Sequence, residues 1–342
     1  VSRSSPRVKN MVARFVCKDL DTRGLNPLPL LKRAGLSRSA VEAEEGWISY
    51  GAHAAFVESA AGEIGDCYYG LNLARRVEIK EFGALAYVGL SSRTFQDALL
   101  NHERYMAVLN EAWQIQVYTS GQEVILNFEP VVPEFANYPQ ATEASLALTL
   151  SAYRYFVGQS LSPVEIGFSH PLGTHRETAP FEEAFKCPVK FRRNQLYMTF
   201  SSEWLKAPIK TADDKLLKVL KTHCLNVLKA EGAPRHEVVA SVRFALAERL
   251  SSGHVTARVI AQELGMTERT LHRRLTEEGT SFGEVSDNLR RSLADTYLQE
   301  KQLSIKKIAF LLGYSDASAF GAAYRRWTGN TPKKARTTSS PL

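Results

Sequence analysis

The stretch that decides the fold is "IKKIAFLLGYSDASAFGAAYRRWTGNTPKKAR", residues 305–336. It passes from small and apolar residues into a burst of Arg and Lys. Two readings are open: a basic amphipathic tail, or half of a device that reads DNA. The deciding comparison is internal. "IAQELGMTERTLHRRL" (260–275) and "IAFLLGYSDASAFGAAY" (308–324) share an Ile-Ala pair and a Leu-Gly pair at a constant offset of 48 residues, matching Ile260 to Ile308, Ala261 to Ala309, Leu264 to Leu312 and Gly265 to Gly313. One extra residue then enters the second copy, so Leu271 and Leu275 correspond to Phe320 and Tyr324.

Each copy reads as helix, tight turn, helix. The alanine suits a place where two helices nearly touch. The glycine ends the first helix in a left-handed conformation that residues with a Cβ resist. Thr267 or Ser315 follows as N-cap of the second helix. An apolar pair at i, i+4 anchors that helix to a core and holds it proud of the surface, where it can enter a major groove about 12 Å wide. With Leu271 and Leu275 inward, Glu268, Arg269, His272 and Arg273 point outward. Arg can pair bidentately with guanine, and His can donate or accept at a base edge. A solvated charged face is the ordinary reading of one such helix. Duplication of the whole unit around a linking helix (282–300) decides for DNA.

Composition agrees. A chain of 342 residues suggests two domains, and 44% hydrophobic with 23% charged residues is globular composition. "SLALTLSAYRYFVG" is too short to span a membrane and is broken by Arg154. Net charge is +7, with 16 Lys and Arg against 11 Asp and Glu from residue 236 onward and 27 against 25 before it. The excess in the C-terminal third suits an anionic partner. "VSRSSPRVKN" (1–10) lacks the apolar core of a signal peptide, and is expected to be a frayed basic leader on a cytoplasmic protein. Cys17, Cys67, Cys187 and Cys224 form no C-x-x-C pair and read as buried, inert thiols.

The first 110 residues read mostly as helices. "NPLPLLKRAGL" has Pro at a helix start and Gly35 near its end. "TFQDALLNHERYMAVLNEA" has Thr94 as N-cap and Phe95, Leu99, Tyr105, Met106 and Leu109 as an inner face. "WQIQVYT-SGQE-VILNFEP" alternates about a turn, as a β-hairpin does. A helix around 138–158, a strand in "PVEIGFSH", a short helix in "PFEEAFKC" and strands in "PVKFRR" and "QLYMTF" complete an α+β domain with a small, mostly antiparallel sheet, residues 1–205. A charged helix broken by Gly232 and Pro234 makes 206–235 a linker, and 236–342 is all α.

The run from "IAFLLGYSDASAFGAAYRRWTGNTPKKAR", with "ARVIAQELGMTERTLHRRLTEEGTSFGEVSDNLRRSLADTYL" before it, resembles the DNA-binding domain of AraC/XylS-family transcription regulators over about 100 residues. The resemblance implies two helix-turn-helix units joined by one long helix, reading adjacent major-groove segments about 34 Å apart. "LNPLPLLKRAGL", "EFGALAYVGLSSRTFQDALL", "VEIGFSHP" and "FEEAFKCPVKF" resemble the non-cupin, arabinose-binding-like effector domain of the ornithine-utilisation subgroup. By this resemblance Arg269, His272 and Arg273 form the base-facing set of the first reading helix. Asp316, Ala317, Ser318, Gly321 and Ala322 take the outward places of the second. Ala322 stands where many members have Arg, and neither it nor Gly321 can make a bidentate base contact, so Asp316 and Ser318 are the base-facing candidates there. Arg274, Arg325, Arg326, Lys333 and Lys334 are expected on phosphates. The implied partners are double-stranded promoter DNA, RNA polymerase, a small effector on the N-terminal domain, and a second copy of the chain in a homodimer. The usual role of such regulators is activation. A ligand-independent repressor, or a dimer whose N-terminal domain makes only protein contacts, is the alternative.

Residues 1–205 hold no G-x-S-x-G, P-loop, G-x-G-x-x-G or H-E-x-x-H, so neither an enzyme nor a cofactor is expected. His102 and Glu103 are adjacent on a helix and do not share a face. His170 and His175 flank Gly173 without a convergent carboxylate or thiol, which argues against a metal. Trp47, Tyr87, Tyr105, Trp113 and Tyr153 are candidates to line an effector pocket, at spacings equally suited to a core.

Overall fold

The computed structural model describes residues 5–44, 46–120, 122–230, 237–250, 255–299 and 302–338. The chain opens with β1 (Arg7–Lys9), α1 (Met11–Thr22), α2 (Leu28–Ala34) and α3 (Arg38–Glu42). Next come β2 (Trp47–Ser49), α4 (Tyr50–Ile64), α5 (Tyr69–Leu73), α6 (Gly83–Ser91) and α7 (Phe95–Tyr105). The hairpin β3 (Trp113–Ser120) and β4 (Glu123–Pro130) leads to α8 (Pro139–Val157), β5 (Glu165–Gly167), α9 (Ala179–Phe185), β6 (Val189–Lys190) and β7 (Leu196–Ser201). The five-stranded sheet has the order β3-β4-β7-β5-β6, antiparallel except where β5 meets β6. An α+β domain is thus followed by a helical one: α10 (Asp214–Ala230), α11 (Glu237–Arg249), α12 (Ala257–Glu263), α13 (Glu268–Glu277), α14 (Phe282–Gln299), α15 (Ile305–Leu311), α16 (Ala317–Thr328) and α17 (Pro332–Thr338).

Local chemistry accounts for the boundaries. Gly35 closes α2 at φ 75°, and Thr94 caps α7 in a reciprocal capping box with Asp97. Arg154, which interrupts the apolar run of α8, is drawn in to donate to three carbonyls, those of Leu161, Ala184 and Phe185, at 2.7–3.0 Å. The bonds to Ala184 and Phe185 satisfy orphan acceptors at the end of α9. Glu143 is fully buried on α8 and receives both ends of the Arg176 guanidinium, at 2.8 and 2.7 Å.

The basic leader departs from expectation. From residue 7 it is ordered as β1, paired antiparallel with β2. Arg7 and Lys9 lie over the Trp47 ring at 5.0 and 4.8 Å, and Arg7 pairs with Glu111 at 2.6 Å. The cations are therefore used in cation–π and ionic contacts rather than left in solvent. Cys67 also differs: it is exposed, whereas Cys17, Cys187 and Cys224 are buried, with thiols pushed up to about 11, 12 and 11 by burial. Gly232 and Pro234 lie outside the described residues. Just before them, α10 packs on α6 through Cys224 and Leu228 against Val88, Tyr105 and Val108.

The sheet is buried on both faces. Ile115, Val117, Val124, Leu126, Leu196, Met198 and Phe200 join the N-terminal core, while Tyr118, Ile125 and Tyr197 on the other face belong to the core of the C-terminal helices. Alternation along β3, β4 and β7 thus feeds two cores. Helix α11 lies against β3, and the Tyr118 hydroxyl meets Ser292 of α14 at 3.1 Å. Glu103 of α7 pairs with Arg243 of α11 and also accepts from the Val117 amide at 3.2 Å, occupying a donor on the edge strand that no neighbouring strand could take. Burial pushes the Glu103 carboxyl up to about 7, against the pull of Arg243 and the Val117 amide.

Candidate nucleic-acid interface and ligand cavity

The two C-terminal repeats are repeats in hydrogen bonding as well as in sequence. In the first, the amides of Leu264, Gly265 and Met266 donate to the carbonyls of Ile260, Gln262 and Ala261 at 3.0, 3.1 and 2.9 Å. In the second, Leu312, Gly313 and Tyr314 donate to Ile308, Phe310 and Ala309 at 3.0, 3.0 and 2.9 Å. Gly265 and Gly313 have φ of 66° and 76°, and at Gly265 there is open space where a Cβ would stand. Conformation rather than room requires glycine there. Ala261 and Ala309 are buried at the helix–helix approach. Thr267 caps α13, accepting from Thr270 N at 3.2 Å. In the second unit the cap is Asp316, not Ser315: Asp316 accepts from Ala319 N at 2.8 Å, and Ser315 donates to Asp316 instead. The extra residue of the second copy moves the cap one place, and a carboxylate also suits the positive end of a helix.

Leu271 and Leu275 of α13 are fully buried, and Glu268, Arg269, His272 and Arg273 are exposed beside them. His272 Nε2 is 3.8 Å from Glu268, and Arg273 pairs with Glu277 at 2.7 Å. Arg269 has no ion-pair partner among the described residues. Exposed pairs of this kind are worth about 0–1 kcal/mol, so Arg273 can exchange Glu277 for a base at little cost. On α16 the inner face is Phe320 and Tyr324, and Tyr324 donates to Asp295 of α14 at 2.6 Å. The outer face is bare: Ser318 and Ala322 are exposed, and a Cβ on Gly321 would meet nothing within 4 Å. Arg274, Arg325, Arg326, Lys333 and Lys334 are all exposed, with Arg326 paired to Asp287 at 2.9 Å.

The N-terminal domain holds a cavity of about 110 Å³ between α4, α6, α7, α8 and the sheet. Of the five aromatics singled out in the sequence, Trp113 and Tyr153 line it. Tyr105 is buried elsewhere, Tyr87 is 40% exposed, and Trp47 lies under Arg7 and Lys9. The sequence reading missed His53 and Tyr50 in this wall; the one available signal was a histidine inside the apolar run of α4. His102 Nδ1 and the Tyr153 hydroxyl are 2.6 Å apart, and Trp113 Nε1 donates to Tyr50 at 2.7 Å. His53 Nδ1 is buried without a hydrogen-bond partner among the described residues. Burial lowers both His53 and His102 to about 4, so both rings are neutral at pH 7. His170 lies instead beside Glu143, at 3.6 Å, and His175 is at φ 62° in the following loop. No group of three metal-binding side chains occurs among the described residues, and no helix there is long and apolar enough to cross a membrane.

Neutral burial of His53 has a thermodynamic consequence. The unfolded chain takes up a proton near pH 6.5, the folded chain only near 4, so acid favours unfolding through this group. That interval is worth about 3 kcal/mol. Between pH 7 and pH 4 the stability of a His53→Phe variant should therefore move about 3 kcal/mol in its favour relative to the wild type, in denaturant titrations at each pH. A constant difference would mean that His53 is protonated in the folded state.

A family profile described as the arabinose-binding domain of AraC transcription regulators, N-terminal, matches residues 24–209, and one described as a helix-turn-helix domain matches residues 260–338. The ornithine utilization regulator of Pseudomonas aeruginosa is 28% identical over 313 residues, 92% of this chain and 91% of that protein. The HTH-type transcriptional regulator VirS of Mycobacterium tuberculosis is 29% identical over 317 residues, again 92% and 91%. The crystal structure of transcriptional regulator CdpR from Pseudomonas aeruginosa covers 95% of this chain and 97% of its own, at 23% identity and a TM-score of 0.45.

Proposed function

The chain belongs to the AraC family of DNA-binding transcription regulators, and on that footing we propose a cytoplasmic, homodimeric activator that reads promoter DNA chiefly through α13, answers to a small molecule, and contacts RNA polymerase. The division of labour would follow the sequence: 1–205 senses and dimerises, 206–235 connects, and 236–342 binds DNA. The observation that carries the reading is the asymmetry of two like-built units. Arg269, His272 and Arg273 stand free of the core on α13, whereas the matching places on α16 hold Ser318, Gly321 and Ala322, with Arg325 and Arg326 exposed toward its end. The first unit would supply sequence preference, with Glu268 shaping it by repulsion. The second, with Arg325, Arg326, Lys333 and Lys334, would supply mainly phosphate contacts, with Arg274 adding one from α13. Asp316 is engaged as a cap, which leaves Ser318 as the polar group of α16 best able to reach a base.

Effector control is supported by the placement of two neighbouring side chains. His102 lines the cavity and Glu103 holds Arg243 of α11, so a shift of α7 on ligand binding would move the attachment of the DNA-binding helices. A ligand acts in this way only if it binds two arrangements unequally.

Fluorescence anisotropy on promoter and random duplexes over a salt series tests the DNA assignment. Arg273→Ala should cost about 1–3 kcal/mol on the promoter and relax preference at one base pair. Lys333→Ala should weaken both duplexes alike and reduce the salt slope by about 1. If Arg273→Ala weakened promoter and random DNA equally, α13 would not be the reading helix.

A further inference from the structure

The cavity of the N-terminal domain has a chemistry that restricts what it can hold. Its wall is apolar and rich in rings, among them Tyr50, Trp113, Tyr153 and Phe156. Nearly every polar group in that wall already has a partner. His102 is paired with Tyr153, Tyr50 with Trp113, Ser145 with the Ala141 carbonyl at 2.9 Å, and Asn110 with the Ala112 amide at 2.9 Å. Lys9, the one formal cation in the lining, has its ammonium over the Trp47 ring. His53 is the buried exception: only 6% exposed, it carries a ring nitrogen with no partner among the described residues, while Thr149 adds a hydroxyl at a half-buried position. A buried polar group without a partner is costly, so a ligand group that hydrogen-bonds it gains more than it would in water.

Size and charge narrow the choice further. A cavity of about 150 Å³ takes benzene, so about 110 Å³ sets the scale at a single ring. With both histidines neutral, a carboxylate or a zwitterion would leave water for a wall with no free counter-charge. We propose that this cavity binds a small uncharged ring compound bearing one hydroxyl, a monocyclic phenol in class, whose hydroxyl hydrogen-bonds the His53 imidazole. This rests on the reading of the N-terminal domain as a sensor and adds the class of ligand it senses.

The test uses the full chain, titrated with phenol, toluene, benzoate and the zwitterion norleucine, with binding read by calorimetry and by thermal shift. Phenol should bind about tenfold more tightly than toluene, the worth of one hydrogen bond to an otherwise unpaired group. Benzoate and norleucine should give no shift. In His53→Phe the preference of phenol over toluene should fall below about twofold. Ala144→Leu, which adds bulk to the cavity wall from α8 and keeps the His53 side chain, should abolish both responses and serves if His53→Phe does not fold. Benzoate binding at least as well as phenol, equal binding of phenol and toluene, or binding of none of the four would each overturn the assignment. Promoter affinity measured with and without phenol separates the two claims: phenol that binds as described yet leaves DNA affinity unchanged supports the site and overturns effector control.

Discussion

An Arg243→Met variant should lose about 3–5 kcal/mol of stability at pH 8, read from denaturant midpoints, because it leaves Glu103 buried without its counter-charge. The loss should shrink toward pH 5. Without the guanidinium, the folded-state carboxyl moves further above the value of about 7 that burial already imposes, while the unfolded chain releases its proton near 4.5. The folded state then holds a proton that the unfolded chain does not, so stability falls as pH rises through that interval. Replacing both partners, as in Glu103→Met with Arg243→Met, removes the stranded charge and should recover most of what the single change loses. A single variant as stable as wild type at pH 8, or a double variant no better than the single, would show that the pair is not desolvated as its position implies. The same double variant is expected to uncouple promoter affinity from effector, since the tie between α7 and α11 is gone.

Gly70→Ala is the second change with a large expected effect. A Cβ there would stand 2.0 Å from the Gln140 carbonyl oxygen and 2.7 Å from its carbon, both backbone atoms of α8. The Gly70 amide also donates to the Gln140 side chain at 2.7 Å, and Glu58 holds the Gln140 amide at 2.7 Å, so the start of α8 is fixed from two sides. Helices gripped in this way cannot part locally, and a loss of about 3 kcal/mol or more is expected in denaturant titration. Gly321→Ala is the matched control, a helical glycine with open space around it. It should be neutral or stabilising by up to about 1 kcal/mol. Equal effects at the two sites would contradict the packing of α5 on α8.

How far the fold could be read ahead of the structure depended on the range of the interactions that set it. The duplicated turns of α12–α13 and α15–α16 were legible because Ala, Leu and Gly at one offset fix a local geometry. The hairpin of β3 and β4 was legible for the same reason. What escaped depends on residues far apart in the chain. Arg7, Lys9 and Trp47 make a strand pair only when brought together, and the cap at Asp316 rather than Ser315 turns on the register of a single inserted residue. Gln116, Tyr118 and Asn127 lie on the second face of the alternating hairpin and are buried there. Their cover arrives more than 100 residues later, in α11 and α14. One signal was available: Glu103 stands four residues beyond Leu99 and eight beyond Phe95, on the buried stripe of α7. A carboxylate on such a stripe calls for a buried cation, which is the role of Arg243.

The second face of the sheet bears on how freely the two halves of such a regulator can be exchanged. Tyr118, Ile125 and Tyr197 complete the hydrophobic interior of the C-terminal helices, so the DNA-binding half here is not a self-contained cartridge. A chimera that joins residues 237–338 to a foreign sensor would inherit a lid without its box. Grafting would have to carry the matching sheet positions across as well. Recombination among regulators built this way should therefore favour whole-length inheritance, with novelty arising at the cavity wall and on the outer face of α13, where side chains can change without disturbing the shared interior.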